Sequence, residues 1–153
     1  MTPNIRPARP EDWPSIRALL EARDLPVAGA EAHLRLSLVA TDATSSVIVG
    51  VAGVERYAED GLVRSVAVTT EEAGTGLGTA LVRALLQRAR EEGLRALYLL
   101  TTTADRWFPR FGFIVVRRED LPEALSASEE LRGACPSTAV AMALQLRPTH
   151  PNL

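Results

Sequence analysis

Three glycines at alternate positions, Gly74-Thr75-Gly76-Leu77-Gly78, lie between a β-rich run from Ser65 to Val68 and a helical stripe of Leu77, Ala80, Leu81, Ala84, Leu85, Arg88 and Ala89. Glycine lets a chain turn tightly and brings backbone N–H groups close to a ligand. A helix starting at once adds N–H groups without intrahelical acceptors and the positive end of its dipole. The chemistry on offer is anion binding, of a pyrophosphate above all. A P-loop would end in Gly-Lys-Ser/Thr, whereas Gly78 is followed by Thr79 and Ala80. A dinucleotide loop would have its third glycine where Thr79 stands and would lie near the first strand of its fold. The plain alternative is a glycine-rich turn that holds no ligand.

The elements that must position this turn are legible from periodicity and breakers. A short first strand is expected over Ile5 to Ala8, with Pro7 arguing for an edge. Asp12 is a plausible N-cap for a helix that carries Ile16, Leu19 and Leu20 and ends before Pro26. A second helix is expected from Glu31 to Leu36 and a weak strand over residues 37–41. Ser46 to Tyr57 and Leu62 to Val68 flank Ala58-Glu59-Asp60-Gly61 and read as a hairpin. The helix after the glycines should stop at Gly93. Beyond it the pattern predicts a buried strand at Ala96 to Leu100, a helical turn near Ala104 to Phe111 and a strand at Phe113 to Val116. A helix from Leu121 to Leu131 and a final strand at Thr138 to Leu146 complete the order. The class is α/β (α+β): one domain over 1–153, core about 3–147, with a mixed, mostly antiparallel central sheet flanked by helices on both faces.

The whole chain sets outer limits. Its 153 residues suffice for one core without disulfides. With 46% apolar and 24% charged residues the chain is globular rather than disordered. A net charge of −2 with no basic stripe gives nucleic-acid binding no electrostatic support. Cys135 is the only cysteine, and His33 and His150 are far apart, so neither a disulfide framework nor a metal site is expected. The start MTPNIRPARPED has no apolar segment of signal-peptide type. The longest apolar stretch, Val47 to Val54, is far below the roughly 20 residues that cross a bilayer. A cytoplasmic location without membrane attachment is the expectation.

On the glycine turn the sequence resembles the GNAT superfamily of N-acetyltransferases. The family's cofactor motif, Gln/Arg-x-x-Gly-x-Gly/Ala, falls on Ala73 to Gly78, with Ala73 in place of the usual Gln or Arg. The resemblance runs from Ile5 to Leu146. It implies acetyl-CoA as cosubstrate, its pyrophosphate on Ala73, Gly74, Thr75, Gly76, Leu77, Gly78 and Thr79. It also implies a pantetheine arm along the backbone of Val66, Ala67 and Val68. The block from Tyr98 to Phe113, with its LTTT…WF…FGF pattern, is similar to the acetyltransferase domains of N-acetylglutamate synthases. It is more similar still to short acetyltransferases associated with arsenic resistance, to which LVRSVAV (residues 62–68) and the tail from Leu121 to Pro136 also point. The function implied is acetyl transfer to the primary amine of a small, amino-acid-like or toxic acceptor. A dimer is common in that family. Two other readings stay open: a non-catalytic acyl-CoA-binding module, and a protein amine acetyltransferase.

Amine acetylation needs a proton removed from the ammonium, the thioester held beside it, and a proton for the thiolate. The position where many such enzymes carry a tyrosine acid is Phe108 here, which donates no proton. Tyr57 and Tyr98 are the only tyrosines, Tyr98 reading as core. Strand alternation would put Leu62, Arg64 and Val66 on one face, with Leu62 where several relatives carry a catalytic glutamate. Arg64 would then grip an acid group of the acceptor, or else form a surface or salt-bridged arginine. Glu55, on the neighbouring strand, is the candidate base, against an ordinary exposed glutamate. The hydroxyls of Thr101 and Thr102, with Thr103, would order the acceptor or cap the following turn. Trp107 and Phe108 would wall the pantetheine channel or pack in the core. Cys135 reads as a functional thiol or a small apolar residue, and His33 as a surface or packing histidine.

Overall fold

In the computed structural model, which describes residues 4–134 and 137–147, seven strands form one sheet in the order β1-β2-β3-β4-β5-β7-β6. The strands are β1 (Asn4–Pro7), β2 (Leu38–Thr41), β3 (Ile48–Tyr57), β4 (Asp60–Val68), β5 (Ala96–Thr101), β6 (Ile114–Val116) and β7 (Val140–Gln145). Only β4 and β5 pair parallel, as the crossover through a helix requires. Pro7, which has no N–H to donate, sits in the edge strand β1. Cys135 lies outside the described residues.

The two α-helices, α1 (Trp13–Ala22) and α2 (Leu77–Glu91), cover opposite faces. α2 buries Leu77, Leu81, Val82, Leu85, Leu86 and Ala89, a helical stripe, against Leu38, Ala40, Ala52, Val54 and Val63. Cross-strand alternation sends Val39, Val51 and Ala67 the other way, onto Ile16, Leu19 and Leu20 of α1. α2 ends as its sequence requires. Gly93, at φ +79°, lets its own N–H reach the Arg90 carbonyl and the Leu94 N–H reach that of Ala89, both at 3.0 Å.

Three expectations change. Asp12 precedes α1 but makes no side-chain cap there. Its buried carboxylate instead takes two bonds from Arg6, 2.8 and 2.9 Å, and one from the Arg9 N–H at 2.7 Å. The helix expected at Glu31 to Leu36 is a single turn, Glu31–His33. Ser37 already belongs to the sheet margin, accepting from the Ala8 N–H, and its hydroxyl bonds back to His33. The helix expected at Leu121 to Leu131 is broken into two short turns, Glu123–Ala127 and Glu130–Ala134. Serine is the reason: Ser126 bonds the Glu123 carbonyl at 2.7 Å, and the Ser128 hydroxyl takes the Glu130 N–H at 3.1 Å. Such local bonds compete with helix continuation.

Candidate active site

The cleft arises from a β-bulge in β4. Val51 pairs with Ala67 and Gly53 with Arg64, so Ser65 and Val66 together oppose Ala52 alone. Ser65 takes φ +60°, the left-handed region. An extra residue bends its strand and increases the local twist. The parallel pairing of β4 with β5 stops just before the bulge, at Val63 with Leu99. From Arg64 to Val68 the β5-facing edge of β4 therefore has no strand partner, and its polar backbone groups line a gap.

Two adjoining pockets of about 540 Å³ each occupy this gap and share Leu25, Val66 and Thr103. The first lies over the glycine turn, with Val68, Gly74, Gly76, Gly78 and Thr79 in its wall. Gly74 and Gly76 have φ of +80° and +91°, and α2 begins directly after them. In its first turn the N–H groups of Gly78 and Thr79 have no intrahelical acceptor. That of Leu77 meets the Thr75 hydroxyl at 3.4 Å. A Cβ on Gly78 would stand 3.6 Å from the Trp107 ring, which walls the same pocket. Arg23 and Arg110 are the cations of this wall, and sequence reading singled out neither. Arg110 is fixed over the Trp107 ring at 5.2 Å and bonds the Trp107 carbonyl at 3.0 Å. The side chain missing at Ala73 thus has cationic neighbours from two other segments.

The second pocket runs from the bulge to the end of β5. Ser65, Thr101, Thr102 and Thr103 supply hydroxyls to it, Phe108 an aromatic wall, and Asp24 and Glu130 carboxyl groups. Thr101 combines both readings of its hydroxyl: it lines the pocket and its oxygen caps the next turn, accepting from the Ala104 N–H at 2.9 Å. Glu130, only 5% exposed, had no signal in the sequence, because only the broken 123–134 segment brings it here.

Glu55 does not occupy the position expected of it, and Arg64, which keeps its expected face, is engaged within the protein. The bulge breaks the alternation after Arg64, so Val66 and Val68 pack toward α2 while Arg64 stays on the α1 side with Leu62 and Glu55. Arg64 borders the second pocket, but four of the five N–H groups of its guanidinium are taken. It donates to Glu55 at 2.8 Å, to the carbonyls of Ala28 at 2.7 Å and Pro26 at 3.0 Å, and to Ser65 Oγ at 3.1 Å. A two-bond grip on an acceptor is therefore ruled out for this arrangement. Glu55 is fully buried rather than exposed, and lines neither large pocket. Burial alone would raise its carboxyl, but hydrogen bonds from Tyr57, Arg64 and Ser128 prevail and hold it below the usual carboxylate range. His33 lies 4.0 Å from it, as a packing partner of Tyr57.

Tyr57 donates to Glu55 at 2.6 Å, and burial together with this bond pushes its phenol up to about 12. A raised folded value means a contribution fully present below the unfolded value of about 10 and lost as pH climbs through about 12. Between those pH values the wild type should lose more stability than Tyr57→Phe, which lacks this titration. Denaturant midpoints from pH 8 to 12 check this, and parallel curves would refute it.

Among the described residues no group of three or more His, Cys, Asp or Glu is placed to hold a metal ion. No helix among them is long and apolar enough to cross a membrane.

An amino-acid acetyltransferase of Ralstonia nicotianae is 35% identical over 79 residues, half of this chain. This chain spans 18% of that protein's length. Among solved structures, N-acetylglutamate synthase from Neisseria gonorrhoeae, complexed with coenzyme A and N-acetyl-glutamate, superposes with a TM-score of 0.80. It is 23% identical, with 97% of this chain and 36% of that one covered. A Mycobacterium tuberculosis protein solved in complex with CoA gives 0.78 at 22% identity, covering 95% of this chain and all of that one. At these identities the two structures speak for the fold alone. The acetyltransferase (GNAT) family matches residues 4–113, from β1 through the glycine turn to the residue before β6, and the chain belongs to that family.

Proposed function

We propose that this protein transfers the acetyl group of acetyl-CoA directly to the primary amine of a small, amino-acid-like acceptor. The observation that carries the reading is the gap opened by the Ser65 bulge, which joins the glycine-turn pocket to the hydroxyl-lined pocket. The pyrophosphate fits the amides at Gly76 to Thr79, with Arg23 and Arg110 supplying the charge that Ala73 lacks. The pantetheine lies along the unpaired edge at Val66 to Val68, and its thioester meets the acceptor beside Ser65. The amine nitrogen attacks the thioester carbonyl carbon, the C–N bond forms and the C–S bond breaks. Glu130, a carboxyl group in the wall of the acceptor pocket, takes the amine's proton. Phe108 gives the leaving thiolate no proton, so solvent supplies it. A toxic, arsenic-bearing acceptor and a homodimer rest on the family resemblance, a cytoplasmic setting on the apolar pattern of the sequence, and all three are part of the same proposal.

Thermal shift and a thiol-release assay test it. At about 100 times Kd, acetyl-CoA or CoA should add about 2.7 kcal/mol, or roughly 5–10 °C, and NADH nothing. Free thiol should appear with amino acids or with their phosphonate or arsenic analogues. Glu130→Gln should lower kcat roughly 100-fold while the CoA shift persists. No shift with either CoA species overturns the reading. A shift without turnover leaves an acyl-CoA-binding module, the alternative that Phe108 and Ala73 favour, and turnover on protein amines alone overturns the small acceptor.

A further inference from the structure

The segment between α1 and the turn at Glu31 is neither helix nor strand, yet it walls the cleft. Leu25 lines both pockets, and Asp24 and Pro26 line the acceptor half. Its backbone bonds sit at its two ends: the N–H groups of Arg23, Asp24 and Leu25 reach back into α1, and the Ala30 N–H reaches Val27. The carbonyls of Pro26 and Ala28 both take N–H bonds from Arg64. That guanidinium is buried, with 2% of its side chain exposed, and Glu55 balances its charge at 2.8 Å. Its Nε holds Ser65 Oγ at the bulge. One planar cation thus ties three things together: the bulge that opens the cleft, the segment that faces it and the buried carboxylate beneath.

We infer that Arg64 is a positioning residue, a latch that sets the width of the acceptor half of the cleft by holding residues 24–28 against the β4 bulge. The role follows from guanidinium geometry. Four N–H groups of a fixed fork reach two carbonyls, a hydroxyl and a carboxylate at once, which a lysine ammonium with three donors on a flexible stem does not. The binding energy of an acceptor would otherwise be spent on ordering the segment, and the cost would appear in acceptor KM. This inference rests on the acetyl-transfer reading for its kinetic part and on geometry alone for the rest.

The test is Arg64→Lys, which keeps the charge opposite Glu55 and gives up the fork. Amide hydrogen exchange over residues 25–30 should quicken at least tenfold relative to wild type, while exchange in α2 stays within about twofold. With an accepted amine, acceptor KM should rise about tenfold and KM for acetyl-CoA less than threefold. If Arg64→Lys does not fold, the double variant Glu55→Met/Arg64→Met, which leaves no unpaired buried charge, is read in the same way. Unchanged exchange over 25–30 in the folded variant overturns the latch. Faster exchange with unchanged acceptor KM overturns its bearing on the site. If wild type acetylates no amine, the proposed function fails and the exchange result still decides the latch.

Discussion

Glu55→Ala should cost about 3–5 kcal/mol, the range found when one partner of a buried ion pair is removed, and lower Tm by roughly 6–20 °C. The substitution leaves the Arg64 guanidinium in place, nearly inaccessible to solvent and without its counter-charge. It also strips Tyr57 of the acceptor at 2.6 Å. Replacing both partners, as in Glu55→Met/Arg64→Met, removes the buried charge altogether and should cost far less than the single change. Acid gives a second signature. Because the Glu55 carboxyl sits below its ordinary value, the pair's contribution is fully present above the unfolded value of about 4.3 and is lost as pH falls through the lowered one. The double variant should lack that part of the acid slope. Denaturant midpoints of the three proteins between pH 3 and 7 measure both effects. A single variant no less stable than the double would refute the argument.

This buried pair also marks where a linear reading of the chain stops. Glu55 and Arg64 are charged residues in β-rich runs, and the pattern alone assigns them to β3 and β4. Their relation was not visible, because it depends on the bulge at Ser65. A bulge that places a serine at φ +60° has no glycine or asparagine to announce it. Strict alternation then assigns Val66 to the wrong face and leaves Arg64 looking toward the acceptor. The hairpin, the helix after the glycines and its Gly93 stop were legible because each is written in local chemistry: alternation, periodicity and a left-handed terminator. The acceptor half was not, because its walls come from five separate segments: Asp24 to Pro26, the bulge, the end of β5, Phe108 and Glu130. The last of these depends on serines interrupting what periodicity alone would make a helix. Arg23 and Arg110, which face the glycine turn from far along the chain, escaped for the same reason.

For the glycine turn, Gly76→Ala should separate ligand binding from folding, with Gly93→Ala as its control. Both glycines lie in the left-handed region, at φ +91° and +79°, and a Cβ on either meets nothing within 4 Å. Each alanine therefore carries backbone strain of about 1–2 kcal/mol without a steric clash, and the two variants should lose similar stability, roughly 2–8 °C in Tm. Their surroundings differ. Gly93 closes the far end of α2, whereas Gly76 lines the pocket at its start. The space that is empty beside Gly76 is the space a pyrophosphate needs if it is to accept the N–H bonds of the first helical turn. A methyl group there pushes the phosphates away from those amides, and charge-assisted bonds of this kind are worth about 1.5–3 kcal/mol each. Loss of one bond predicts CoA binding about 10–100-fold weaker for Gly76→Ala and unchanged for Gly93→Ala, by calorimetric titration. Equal CoA affinity in the two variants would remove the anion from the glycine turn, and with it the reason for reading this cleft as a CoA site.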